Sequence, residues 1–197
     1  LCRVTLENDV VGVGETMPFY TWGTVTDESV QRAMGKIATE IMWDDTLGAG
    51  LQMALFDAVG KSCDVPMHHL MGQQVRDDAF VSWWSIDMSP EDWLLECQES
   101  IKQGYTSYKF KARPWFDLDK QMSTVTAEVP EHFEIDLDFN TMCNDSAHAV
   151  RLLRAMEKYP HLKIYESPIP QGDVAGNKYL RSQSEIPIAM HVGNPPL

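Results

Sequence analysis

Ser107-Tyr108-Lys109-Phe110-Lys111, Phe133-Glu134-Ile135-Asp136-Leu137-Asp138-Phe139-Asn140, Lys163-Ile164-Tyr165-Glu166-Ser167-Pro168 and Ile186-Pro187-Ile188-Ala189-Met190-His191 are four short stretches with apolar alternation, each carrying residues that can do chemistry. Those residues recur at nearly constant spacing: 27 from Lys111 to Asp138, 28 from Asp138 to Glu166 and 25 from Glu166 to His191. A strand, a helix and two loops together take about 30 residues. The stretches therefore read as successive βα units, each delivering a Lys, Asp, Glu or His from the carboxyl end of its strand. Barrel enzymes place their chemistry at that end.

The flanking sequence supports this rhythm. Phe80 to Ile86 reads as a strand ahead of the four. Ser89-Pro90-Glu91-Asp92 then opens a helix with a cap, a first-turn proline and first-turn acids, and Gly104 ends it. Leu118, Met122, Val125 and Val129 mark the next helix. Another starts near Asp145, with Ala149, Leu152, Leu153 and Met156 facing inward, and a weakly patterned one spans about 174–184. The first part of the chain differs. Residues 1–25 are strand-like and then loop-like. Val30, Ala33, Met34, Ile37, Ala38 and Ile41 predict one helix over 28–41, capped by Asp27. A helix from about Gly50 to Lys61 is apolar on most faces and is expected to be buried. A boundary is thus expected near residue 78: an α+β segment over 1–78, and five strands of a parallel βα array over 79–197. Five strands can form an open doubly wound sheet, whereas a closed barrel takes about eight.

Composition narrows the function classes. The chain has 197 residues, and a net charge of −13 argues against nucleic-acid partners and anionic membrane surfaces. No apolar run approaches the roughly 20 residues of a membrane helix. Cys2, Cys63, Cys97 and Cys143 form no C-x-x-C pair and read as reduced thiols of a cytoplasmic protein.

Asp138 and Glu166, on adjacent strands, are expected to lie close together. Acids that close need a cation, and Mg²⁺, which prefers oxygen ligands, is the natural one. Lys109 and Lys111 share a strand face; like charges there would lower a lysine pKa toward that of a usable base. Asn140 is expected to hold the Asp138 carboxylate or a lysine, and deeper-lying Asp136 to pair internally. His191 alone is weak, and gains weight only from its place in the series. Gly12-Val13-Gly14-Glu15 lacks the spacing and the lysine of a phosphate loop. Phe19, Tyr20, Trp22 and Trp43 would line a pocket or join the core.

In these residues the chain resembles the enolase superfamily, in its mandelate racemase and muconate-lactonizing enzyme group. The resemblance runs through Gly12-Val13-Gly14-Glu15, Ala54-Leu55-Phe56-Asp57-Ala58-Val59-Gly60-Lys61, Val65-Pro66, Leu70-Met71-Gly72, Lys109-Phe110-Lys111, Asp138-Phe139-Asn140, Glu166-Ser167-Pro168 and Ile186-Pro187-Ile188-Ala189. It implies an α/β fold in which an α+β capping domain precedes a modified TIM barrel, with five βα units in this chain. It implies Mg²⁺ on acids of successive strands and abstraction of the proton α to a carboxylate. Asp138 and Glu166 become metal ligands, Lys111 the base, and Lys109 its neighbour, lowering its pKa or binding the substrate carboxylate. Asn140, Tyr20 and Trp22 are expected to touch the substrate or to support the residues that do, and the resemblance implies that the loops at about 15–26 and 42–50 set specificity.

Two departures from the family pattern stand out. His191 falls where the third ligand is normally an acid, so Mn²⁺ or another divalent ion is an alternative to Mg²⁺. The family's sixth to eighth strands would lie past Leu197, so the chain is expected to be part of a longer protein, a homo-oligomer in full-length form. The expected reaction is dehydration of a sugar acid, otherwise racemisation or cycloisomerisation of a small carboxylate. The competing reading is a non-catalytic relative that binds a small acid or is structural.

Overall fold

The computed structural model describes residues 1–17 and 23–191. The chain divides into two compact units, Leu1–Ala79 and Phe80–Leu197.

In the first unit β1 (Cys2–Thr5) pairs antiparallel with β2 (Val11–Gly14). The turn between them carries Asp9 at φ 64°. Two short helices follow, α1 (Asp27–Ala33) and α2 (Ala38–Ile41), then the long α3 (Ala49–Ser62). The backbone of α3 lies directly on β2. A Cβ on Gly12 would sit 2.0 Å from the Ala54 carbonyl oxygen, and one on Gly14 2.2 Å from that of Gly50. The Gly-Val-Gly of β2 is therefore a close-packing device. Asp57 and Lys61 lock it: Asp57 accepts the Val13 N–H at 2.8 Å, and Lys61 reaches Asp57 at 2.7 Å and the Val11 carbonyl at 3.1 Å.

The single helix predicted over 28–41 is two helices. The chain turns at Met34 and passes through Gly35 at φ 69°, a left-handed conformation that side chains resist. Met34 and Ile37, assigned by their period to the inward stripe, are exposed. The cap is Thr26 rather than Asp27, and its side chain exchanges hydrogen bonds with Ser29 in a capping box.

The second unit is one parallel sheet whose strand order follows the sequence: β3 (Trp83–Trp84), β4 (Ser107–Lys111), β5 (Glu134–Asp138), β6 (Leu162–Glu166) and β7 (Ile188–Ala189). Helices α4 (Pro90–Lys102), α5 (Leu118–Thr126), α6 (Ser146–Met156) and α7 (Val174–Gln183) make the crossovers. The strand expected over Phe80–Ile86 shrinks to two residues, with Phe80 and Val81 exposed. One face of the sheet carries Tyr108, Phe110, Ile135, Leu137 and Tyr165, all fully buried with Trp93, Met122 and Leu153 of the helices. Trp93 stacks on Phe110 with ring centroids 4.0 Å apart. This apolar layer leaves the alternate residues of each strand on the other face.

His161, in the turn before β6, is buried, and neither ring nitrogen finds a hydrogen-bond partner among the described residues. Burial, reinforced by the Lys163 charge, lowers its pKa. A histidine whose folded pKa is depressed costs stability as the pH falls below its unfolded value, about 6.5. The parent should therefore lose melting temperature between pH 7.5 and 5.5 relative to His161→Phe. Asp136, raised to about 6, titrates in the same window with opposite sign in both proteins, so the difference between the two isolates His161. Parallel curves would refute the assignment.

Candidate active site

Register brings the charged residues into rows. Lys109 pairs with Asp136, Lys111 with Asp138, and Asp138 with Glu166. Residues in register share a face, so Lys109, Lys111, Asp136, Asp138 and Glu166 stand together at the carboxyl ends of three neighbouring strands.

Asp138 is the centre of the cluster and is fully buried. Its Oδ2 accepts from Lys111 Nζ at 2.5 Å, from Lys109 Nζ at 3.2 Å and from Asn140 Nδ2 at 3.3 Å. Its Oδ1 accepts the Asn140 N–H at 2.9 Å. That last bond exists because Asn140, at φ 46°, folds the chain back over the strand end; Asn tolerates this conformation better than most residues. Burial works to raise the Asp138 pKa. The Lys111 bond, the Asn140 N–H and the two ammonium charges outweigh it and hold the carboxyl below its usual range.

Lys109 also pairs with Glu166 Oε2. Burial works to lower its pKa, but Glu166 and Asp138 outweigh it and keep the ammonium above the ordinary lysine value. The carboxylates around Lys109, not the neighbouring lysine, set the direction of its shift. The Asp136 side chain forms no hydrogen bond among the described residues. Burial, with the Glu134 charge, pushes its carboxyl up to about 6, so the expected internal pairing is not found.

His191 lies just past β7. Its Nδ1 is 3.2 Å from Glu166 Oε1, and its N–H donates to Ser167 Oγ at 3.2 Å. Among the described residues no three His, Cys, Asp or Glu side chains gather into a ready metal cluster, so Asp138, Glu166 and His191 do not close on one point. The donor chemistry of the first two still fits a divalent ion: both carboxylates already share one cationic centre, the Lys109 ammonium. Tyr20 and Trp22 lie outside the described residues. Trp43 packs edge-on against Phe56 at 4.7 Å.

The structure adds Arg113 and Trp84. Arg113 donates to Asn140 Oδ1 at 3.3 Å and lies 3.7 Å from Asp87, bracing the residue that braces Asp138. The period-two series of Lys109 and Lys111, carried one step further, points to it. Trp84 pairs in register with Lys109, and its ring lies 6.0 Å from Lys111 Nζ.

Residues 92–191 match the family model described as "Enolase C-terminal domain-like". The chain belongs to the mandelate racemase and muconate cycloisomerase group of the enolase superfamily. One relative in this superfamily is the N-succinyl-L-Arg/Lys racemase of Bacillus cereus, 27% identical over 151 residues, covering 75% of this chain and 40% of the racemase. Other relatives are cycloisomerases and sugar-acid dehydratases. The chain spans between 34% and 58% of the length of these curated relatives. The solved structure of the B. cereus racemase superposes with a TM-score of 0.78 at 21% identity, covering 95% of this chain and 56% of that one. An enolase from Bradyrhizobium, described as complexed with magnesium and mandelic acid, superposes with a TM-score of 0.62 at 27% identity, over 72% of this chain and 39% of its own. The parallel βα array thus shares the fold of the superfamily's TIM-barrel proteins.

Proposed function

We propose that this chain carries the base and the metal-holding carboxylates of an enzyme that abstracts the proton α to the carboxylate of a small acid. The observation that carries this reading is the charge cluster at the strand ends, in which Lys111 and Lys109 both meet Asp138 and Lys109 reaches on to Glu166. Asp138 and Glu166 would hold a divalent ion, with His191 beside Glu166. Oxygen donors suit Mg²⁺, and the imidazole inclines the set toward Mn²⁺. When bound, that ion supplies positive charge against the anion that builds on the substrate as its α-proton leaves.

The chain's own groups do the rest. Lys111 is the base: it projects beside Asp138 with a side chain only 11% exposed. Lys109 takes the substrate carboxylate. Asn140, braced by Arg113, keeps the Asp138 carboxylate aimed at the cluster. The reading extends to dehydration of a sugar acid, in which the α-proton and a β-hydroxyl leave together as water. Dehydratases among the relatives support this choice.

The test is a panel of sugar acids incubated with the protein in deuterated water and followed by NMR. Exchange of the α-hydrogen is expected, with a 2-keto-3-deoxy acid as product. Exchange without that product would point to racemisation or cycloisomerisation. Saturable binding with no exchange for any acid would favour the non-catalytic reading, which His191 at an acid's place supports.

A further inference from the structure

We propose that Lys109 is a built-in counter-ion for Asp138 and Glu166, which must leave before a divalent cation can bind them. Cation binding and the position of Lys109 would then be two states of one switch. This rests on the reading of Asp138 and Glu166 as metal-holding residues.

The two lysines are not equivalent. Lys111 pairs with Asp138, whereas Lys109 pairs with both Asp138 and Glu166. Its ammonium lies against Glu166 Oε2 and 3.2 Å from Asp138 Oδ2, between the two carboxylates that would hold a cation. Asp138 Oδ2 already accepts from three donors. A carboxylate offers about four acceptor positions over its two oxygens, and Asn140 N–H takes one on Oδ1. A metal ion that takes Asp138 Oδ2 therefore has to displace a donor.

Charge makes the same demand. Lys109 and Lys111 stand against Asp138 and Glu166, with Asp136 in register with Lys109. A divalent ion added to that set leaves positive charge in excess even with all three carboxyls ionised, which is costly in a largely desolvated site. Relief falls to Lys109. Its side chain is 26% exposed against 11% for Lys111, and a lysine is a point charge on a flexible four-carbon stem. Once displaced, its ammonium needs an anion, and the substrate carboxylate provides one. Cation and carboxylate should then bind with mutual reinforcement, since such coupling is reciprocal.

The prediction has an unusual sign: neutralising a cluster residue should tighten metal binding. Mn²⁺ is titrated into the full chain, with free ion read by electron paramagnetic resonance, for the parent, Lys109→Met and Lys109→Arg. The Met variant, similar in length but uncharged, should bind about tenfold more tightly or better, the scale of a partly buried ion pair. The Arg variant should bind no more tightly than the parent. Without metal the Met variant should melt lower, and Mn²⁺ should stabilise it more than it stabilises the parent. Folding of the Met variant only with Mn²⁺ supports the same conclusion. Equal or weaker affinity in the Met variant overturns the counter-ion role, as does a variant that stays unfolded with Mn²⁺ present. Absence of Mn²⁺ binding in all three proteins instead overturns the metal reading beneath it.

Discussion

Replacing Lys111 by Ala should slow α-hydrogen exchange by about 10²–10⁴-fold, the usual contribution of a positioned general base. The variant should still fold, because Lys111 reaches the site from the polar face of β4 while Tyr108 and Phe110 anchor that strand in the apolar layer. It should also still bind a divalent ion, because Asp138 and Glu166 remain in place. The measurement is the single-turnover exchange rate in deuterated water at saturating substrate, with Mn²⁺ affinity recorded on the same preparation. If exchange continues at the parent rate, Lys111 only positions substrate and the base stands elsewhere. If exchange and metal affinity collapse together, the effect is structural.

Asp138→Asn is expected to have the largest effect on the fold of the second unit. The carboxylate is fully buried and pairs with two ammoniums of which neither is more than about a quarter exposed. Removing one partner of a buried ion pair typically costs about 3–5 kcal/mol, because the remaining charge stays desolvated. For a chain of this size that corresponds to a fall in melting temperature of about 10 °C. Divalent-ion affinity should fall as well. The acid limb of the stability curve adds a second signature. The folded-state pKa of Asp138 is depressed, so its contribution is complete above the unfolded value of about 3.9 and is lost as the pH falls through the folded one. The Asn variant should show a shallower acid limb. A variant that melts within about 2 °C of the parent and binds metal normally would remove Asp138 from the centre of the site.

Much of the second unit was legible because two simple periods coincide there. Alternation of apolar residues put Tyr108, Phe110, Ile135 and Leu137 on one face and Lys109, Lys111, Asp136 and Asp138 on the other. The repeat of 25–28 residues set one strand and one helix per unit. Helix starts at Ser89 and Asp145 were readable from cap chemistry, and both side chains accept the N–H three residues on. The helix over 28–41 was misread because period alone is blind to Gly35, whose left-handed φ divides the segment. Gly12 and Gly14 were visible as a motif, but their reason was not: it lies in the backbone of α3, some 40 residues away in sequence.

By itself the sequence determined which residues reach the carboxyl ends of the strands and which chemistry they bring, because strand alternation and βα spacing are local properties of the chain. Only the tertiary structure decided how those charges pair. Whether Lys109 meets Lys111 or Glu166, and whether Arg113 braces Asn140, depends on side chains from three or four strands meeting in a desolvated space. There each group's preferred partner is set by distances of about 3 Å that no spacing along the chain encodes.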